Sequence, residues 1–430
     1  MRPVVIIGGG ISGLSTAYYV AKSGLPVTLI ERDAVLGGLM QTDVFEGCVV
    51  ERGPDSFITN KPWARQLIDE LGIGDQIIGS NDHLRATYIW KGKRFAKMPE
   101  GMKLMVPSKL GPILRSDLIG PAGKLKILRE RFRKPLKRKS DVSVSKLVEE
   151  HFGRDVVEYL AEPLLAGVYG GDPDRLSARS VIPKIVEWEA RVGSLSRAAA
   201  AEPESGGGPL FSTLKGGLHD LITALERNTK FERIQGTADK VEKGWRVRVN
   251  DEWLDCEQLV IACKPSAVLP SLFPDIEYSS STVVAVGYRK ADIQHPLDGF
   301  GFLVPKIERR SVAACTWVGT KFDHRVPPDK VLLRLFVSGN PNDVRDELQQ
   351  KMGITAEPLF TKVTPWPQSM PQYTVGHADR LKITQEMLGD FPGLHLVGNA
   401  YRGVGIPDCI RMAQEVADRV VAHARTPSRQ

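Results

Sequence analysis

Cysteine is scarce in this chain. Its five residues (Cys48, Cys256, Cys263, Cys315 and Cys409) are scattered over 430 positions, odd in number, and form no Cys-x-x-Cys pair. That spacing argues against a zinc site or a disulfide framework and fits a reducing compartment. Long apolar runs are also lacking. The uncharged stretch 3–21 opens on β-branched residues and is broken by glycines, the wrong composition for a membrane-spanning helix. The β pattern starts at residue 3, leaving no room for a leader, so a cytoplasmic protein is expected. Neither sign of charge dominates: 58 Lys and Arg face 51 Asp and Glu, for a net +7. Hydrophobic content of 42% and charged content of 25% are those of a globular protein, and the length suggests two or three domains.

Glycine, by contrast, is concentrated at the start. Pro3-Val4-Val5-Ile6-Ile7 is a β-rich run that enters Gly8-Gly9-Gly10-Ile11-Ser12-Gly13, and an Ala/Tyr/Val-rich helical pattern follows through Val20. A second β-rich run, Val27-Thr28-Leu29-Ile30, ends on Glu31. This strand–turn–helix–strand order is the setting a dinucleotide fingerprint requires. Gly8 permits the tight turn, Gly10 lets backbone N–H groups approach a pyrophosphate, and Gly13 lets helix and strand close together. The helix N-terminus at Gly10 adds partial positive charge beneath the phosphates. Glu31 is placed to accept hydrogen bonds from a ribose. A glycine-rich turn without a ligand would need neither the flanking strands nor the terminal acid.

After Glu31 the chain reads Arg32-Asp33-Ala34-Val35-Leu36-Gly37-Gly38, an acid followed by paired glycines. The pattern resembles the FAD-dependent amine oxidase superfamily, in which such glycines continue the flavin cradle. No second Gly-x-Gly-x-x-Gly follows a strand, so a nicotinamide site is not expected. Three further segments narrow the resemblance to the oxygen-dependent protoporphyrinogen and coproporphyrinogen oxidases. These are Gly53-Pro54-Asp55-Ser56-Phe57, Gly167-Val168-Tyr169-Gly170-Gly171-Asp172-Pro173, and the Pro371-Gln372-Tyr373 stretch that runs into Gly376-His377. An amine or carotenoid oxidoreductase would share the glycines but not the second segment. A flavin-free binding protein on the same scaffold would dispense with the fingerprint itself.

The resemblance implies an α/β fold in three parts. Residues 1–60, 211–270 and 385–430 would form a Rossmann-like FAD-binding domain of the amine oxidase type. Residues 61–100 and 271–384 would form a mixed-sheet substrate domain, and 101–210 a helical, membrane-associating insertion. FAD would be held non-covalently. Ile11, Ser12 and Arg32 would join the fingerprint glycines and Glu31, and Gly37, Gly38, Gly53, Pro54 and Asp55 would line the cradle. Ala238, Val241 and Ala262 would border the adenosine, and Gly398, Asn399, Val404, Gly405 and Ile406 would complete the site. Asp55 is also the one candidate polar or basic group at the pocket. His377 receives no chemical role.

The family removes six electrons from a porphyrinogen in heme biosynthesis, passes them through flavin to dioxygen and releases peroxide. Leu303, Trp317 and Phe336, on strands expected to face the macrocycle, are candidate pocket walls, although each alone could be plain core, and Gly167 is a further substrate-binding candidate. Propionates need Lys or Arg, and Lys61 and Arg85 are the candidates. Both protoporphyrinogen IX and coproporphyrinogen III remain open, with Lys61 and the Gly-Pro-Asp-Ser-Phe wording leaning towards the latter.

A basic stretch stands apart from the flavin motifs. Lys124, Lys126, Arg129, Arg131, Arg133, Lys134, Lys137, Arg138 and Lys139 face the single acid Glu130, next to the apolar Met102, Leu104, Met105, Val106, Leu110, Ile113, Leu114, Leu118 and Ile119. A solvated helix face is the plain reading. The combination better fits a peripheral contact with the inner face of the cell membrane. Nucleic acid is disfavoured because aromatics are not interleaved with the charges. A heme-pathway enzyme is a further candidate partner. Residues 196–209, rich in alanine, glycine and proline, are expected to be a surface loop.

Overall fold

A computed structural model describes residues 2–203, 207–269 and 272–425 of the chain. The first strand, Val4–Ile7, lies at the centre of a five-stranded sheet, between Val27–Glu31 and Gln258–Ile261, with Glu232–Gln235 and Leu394–Leu396 at the edges. All four pairings are parallel. Val4 and Ile6 pack on one face against the helices Ile11–Lys22 and Ile406–Arg425. Val5 and Ile7 pack on the other against Val247 and Val249 of a three-stranded antiparallel sheet and Trp245 in the turn before them. Both faces are covered, which is why the central strand reads as an unbroken apolar run rather than an alternating one.

The second layer is a seven-stranded sheet whose strands fall between Thr87 and Pro371. Gly301–Leu303 runs parallel to Thr87–Lys91 while the other pairings are antiparallel, so the sheet is mixed. Its back face, including Val284, Val286, Tyr288, Phe302, Leu333 and Leu335, packs on the helix Val344–Met352. The expected boundary at residue 61 shifts. Ala64, Leu67 and Ile68 of the helix Trp63–Glu70 share the core of the first layer, and Ile77–Gly79 pairs with Phe211–Leu214. This segment belongs with the dinucleotide fold because its amphipathic face has the final helix to cover it.

Residues 110–201 are mainly helical around a core of their own. Two expectations are corrected there. Met105, Val106, Ile113, Leu118 and Ile119 are not an exposed apolar segment; they are 3% exposed or less and fill that core. Residues 195–201 are not a loop. Ser194 caps the helix Leu195–Ala201, and its alanines are strong helix formers; Glu204, Ser205 and Gly206 of the expected loop lie outside the described residues.

Candidate functional site

The first strand delivers the glycine turn to the N-terminus of the helix Ile11–Lys22, which has no side-chain cap and no acid in its first turn. Its leading amides and their partial positive charge are thus left for a ligand. A Cβ on Gly13 would stand 1.8 Å from the Gly8 carbonyl oxygen, so the helix can seat on the turn only with glycine there. At Gly10 a Cβ would meet nothing within 4 Å. That open face is where a phosphate can approach the backbone. Ile11 is half-buried and Ser12 buried just behind it.

Glu31 closes the turn from the second strand. Its Oε2 accepts from Gly9 N at 2.6 Å and its Oε1 from Asp33 N at 3.0 Å. The acid therefore shapes the loop as well as facing outward. Arg32 is 73% exposed, with an ion contact to Asp33 at 3.6 Å. Gly37 N donates to Gly9 O at 2.8 Å, and a Cβ on Gly38 would lie 3.3 Å from Gly10 Cα. A Cβ on Gly53 would fall 1.9 Å from Leu39 O. Residues 9–10, 37–39 and 53 are thus three backbone passes lying side by side, and Pro54 and Asp55 continue the last one.

The opposite wall comes from the far end of the chain. Ala262 N donates to Ile7 O at 2.8 Å, Val397 N to Ile261 O at 3.0 Å, and Gly398 follows. The Tyr373 hydroxyl donates to the Asn399 carbonyl at 2.6 Å and accepts from Gly403 N at 3.0 Å. Tyr373 stacks on His377 at 4.1 Å, whose Nε2 lies 2.9 Å from Tyr401 O. His377 thus braces the glycine-rich turn. Val404, Gly405 and Ile406 lead from this turn into the final helix. Gly236 N donates to Glu31 O at 2.9 Å, bringing in the strand Ala238–Glu242, where a bulge interrupts pairing between Ala238 and Lys240. Ala238 is buried and Val241 half-buried. An uncapped helix start, an open Gly10 face and glycine-lined walls fit a dinucleotide flavin.

Next to Gly53 lies a cluster of charges of which only Asp55 was among the sequence-derived candidates; Glu51, Lys321, Arg325 and Arg334 were not. Arg334 is 2% exposed; its Nε donates to Glu51 O at 3.1 Å and its Nη2 to Gly53 O. Glu51 accepts from Arg325 at 2.8 Å, from Leu218 N at 2.7 Å and from the Thr42 hydroxyl at 2.7 Å. Asp55 Oδ2 accepts from Lys321 Nζ at 2.9 Å and lies 3.9 Å from Arg334. Burial alone would raise the Asp55 carboxyl, but Lys321 and Arg334 beside it hold it well below the usual carboxylate range. Burial lowers the Arg334 guanidinium, against the pull of Asp55 and Glu51. Asp55 is therefore a fixed anion, poorly suited to take up or deliver a proton. The sequence signal for Arg334 is a lone charge in the run Leu332-Leu333-Arg334-Leu335-Phe336-Val337.

The seven-stranded sheet presents its front face to this cluster. Leu303 pairs with Ala314, and Ala314 with Phe336, so the three form one row across neighbouring strands. Leu303 and Phe336 are half-buried. Trp317 is corrected: three residues beyond Ala314, it points to the back face and lies 1% exposed in the core with Leu333, Leu335 and Phe302. It is not a wall of the same pocket. Gly167 sits half-exposed on the helix Glu162–Tyr169, whose Leu164, Leu165 and Tyr169 join Leu303 in one apolar cluster. Arg309 pairs with Glu162 at 2.8 Å and ties this helix to the sheet. The turn before it, Val157–Ala161, is a π-helix, a feature frequent at functional sites. Lys61 pairs with Asp408 at 2.6 Å in the first turn of the final helix and is 41% exposed; Arg85 pairs with Asp82 at 3.4 Å and is 48% exposed.

On the helical part, Leu125 (48% exposed), Leu128 (40%), Phe132 (86%) and Leu136 (49%) make one short stretch rich in exposed apolar side chains. Arg138 does not belong to the basic face around it, because it is spent on Glu189 and Glu150, each at 2.6 Å. The other eight bases between 124 and 139 have no ion pair among the described residues. No helix among the described residues is long and apolar enough to cross a membrane.

Comparison with known proteins bears on this geometry. Residues 11–421 match the family described as flavin containing amine oxidoreductase. The coproporphyrinogen III oxidase of Bacillus subtilis is 33% identical, over 95% of this chain and 96% of its own length. That of Staphylococcus aureus is 30% identical over 98% and 99%. The mitochondrial protoporphyrinogen oxidase of Nicotiana tabacum is 25% identical over 99% and 96%. A solved structure from Exiguobacterium sp. 255-15, described provisionally as a protoporphyrinogen oxidase, superposes with a TM-score of 0.87 at 28% identity, over 98% of this chain and 99% of that one.

Proposed function

The chain belongs to the flavin containing amine oxidoreductase family, and from that premise we propose that it oxidises a porphyrinogen, coproporphyrinogen III foremost, to the porphyrin in heme biosynthesis. The observation that carries this reading is its similarity to coproporphyrinogen III oxidases at 33% and 30% identity over nearly whole chains, against 25% for the plant protoporphyrinogen oxidase. Bound FAD supplies the two-electron acceptor, used three times per macrocycle, with dioxygen as the terminal acceptor and one peroxide released each time.

The residues support orientation rather than acid–base work. Leu303, Ala314 and Phe336 offer a flat apolar row for a disc-shaped substrate, and Gly167, where a Cβ would meet nothing within 4 Å, leaves open space on the helix whose Leu165 shares an apolar cluster with Leu303. Holding an oxidisable bridge at near-attack distance is where the rate gain of such a site resides. The residues near Gly10, Gly38, Gly53 and Gly398 hold the cofactor, with Glu31 towards its ribose. Lys61 and Arg85 remain candidates for the propionates, since each is partly exposed and its ion pair can be shared with a carboxylate. The exposed apolar stretch around Phe132, interspersed with basic residues, supports peripheral attachment to the anionic cytoplasmic face of a membrane. A heme-pathway enzyme that accepts the product belongs to the same reading.

The test is anaerobic. Coproporphyrinogen III added to the FAD-bound protein should bleach the flavin absorbance faster than protoporphyrinogen IX does, and an amine should leave it yellow. Bleaching by the amine alone would overturn the reading.

A further inference from the structure

The contacts between residues 51–55 and the seven-stranded sheet join two halves of the site. Three successive carbonyls are held by side chains of that sheet. Arg334 Nε donates to Glu51 O at 3.1 Å, Trp366 Nε1 to Arg52 O at 2.6 Å, and Arg334 Nη2 to Gly53 O. Lys321, which follows the sheet strand Val312–Trp317, then takes the Asp55 carboxylate at 2.9 Å. On its other side the Arg334 guanidinium lies 4.6 Å from the centre of the Phe336 ring. One buried cation thus touches both the backbone pass against Leu39 and the apolar row that Phe336 shares with Leu303.

We propose that Arg334, supported by Trp366, is a positioning residue that clamps the cofactor-side segment 51–55 to the substrate-side sheet, fixing the spacing between flavin and porphyrinogen. A guanidinium is suited to the task because its planar fork can serve two carbonyls and stack on a ring at once. An ammonium can do one or the other. The proposal rests on the porphyrinogen reading of the site. Displacements of about 1 Å in such a site cost on the order of a hundredfold in rate.

The experiment uses Arg334→Lys and Trp366→Phe in the full chain, with three readouts. Hydrogen exchange of the peptide spanning 51–56, in protein without flavin or substrate, should accelerate in both variants. The FAD dissociation constant should rise by less than the bleaching rate falls, because the phosphate turn is untouched and only the Gly53 side of the cradle loosens. Flavin bleaching per bound flavin with coproporphyrinogen III should slow by about tenfold or more in Arg334→Lys, and by less in Trp366→Phe, while KM changes little. A merely structural role would lower stability and the bound fraction yet leave the rate per bound flavin unchanged, and that result overturns the proposal. Unchanged exchange at 51–56 overturns it too. If Arg334→Lys does not fold, Trp366→Phe alone decides, since its loss leaves every charge paired. Absence of bleaching in the wild type would refute the substrate reading instead, while the exchange measurement still judges the clamp.

Discussion

Replacing Gly10 by alanine separates folding from cofactor binding. The residue has φ −75° and ψ −179°, which alanine adopts freely, and its Cβ would meet nothing within 4 Å. The apo-protein should therefore gain about 0.4–1 kcal/mol through the lower entropy of its unfolded chain. The same methyl group stands on the open face of the turn, where a pyrophosphate must come within hydrogen-bonding distance of the helix amides. Losing one charge-assisted hydrogen bond costs about 1.5–3 kcal/mol, or roughly 10- to 150-fold in the FAD dissociation constant. Gly13→Ala is the contrasting control: its Cβ would sit 1.8 Å from Gly8 O, and the apo-protein itself should lose stability. Urea unfolding of the apo-protein and FAD titration by flavin fluorescence give the two numbers. A Gly10→Ala variant that binds FAD as tightly as the wild type would refute the placement of the phosphate.

Burial raises the Glu189 carboxyl, but His151 and Arg138 outweigh it and depress the group from 4.5 to about 2. Its stabilisation is fully present above pH 4.5 and should drain away as the pH falls towards 2, and Glu189→Gln should flatten that part of the stability–pH curve. Phe132→Asp should weaken retention on anionic vesicles at low salt without altering activity in detergent; equal retention would remove this stretch from the membrane contact. Lys61→Ala and Arg85→Ala should raise KM more than they lower kcat if they hold propionates, by roughly 10-fold or more in kcat/KM, and Lys61→Ala should hurt coproporphyrinogen III more than protoporphyrinogen IX. Equal losses on both substrates would end the role of Lys61 as a discriminator.

The glycine turn and its close backbone contacts were legible because their constraints are local. The contact between Gly13 and Gly8 O, or between Gly53 and Leu39 O, admits one residue type, and the chain shows it within a few positions of its partner or at a familiar spacing. The charge clamp was not legible. Arg334 reaches Glu51 O and Gly53 O across more than 280 residues of chain, and a lone charge in a strand does not announce which backbone it serves. Trp317 shows a different limit. Its face depends on the strand register, which shifts between Val312 and Ala314, and a shift of one residue moves a side chain to the other side of the sheet. The burial of Met105, Val106, Ile113, Leu118 and Ile119 was not legible either, because the helices that cover them come from residues 144–201; Leu104 between them stays 55% exposed. The exposed apolar side chains around Phe132 lie further along the basic stretch than the apolar run suggested.

In the proposed reaction, a flavin on the glycine cradle takes electrons from a porphyrinogen seated on the Leu303–Phe336 row. The most direct measurement is aerobic turnover of the FAD-bound protein with coproporphyrinogen III, following porphyrin fluorescence and hydrogen peroxide together. The account predicts about three peroxides per porphyrin, from three two-electron steps, and a higher kcat/KM than with protoporphyrinogen IX. Porphyrin formation no faster than autoxidation in buffer, by a protein that holds its flavin, would contradict it.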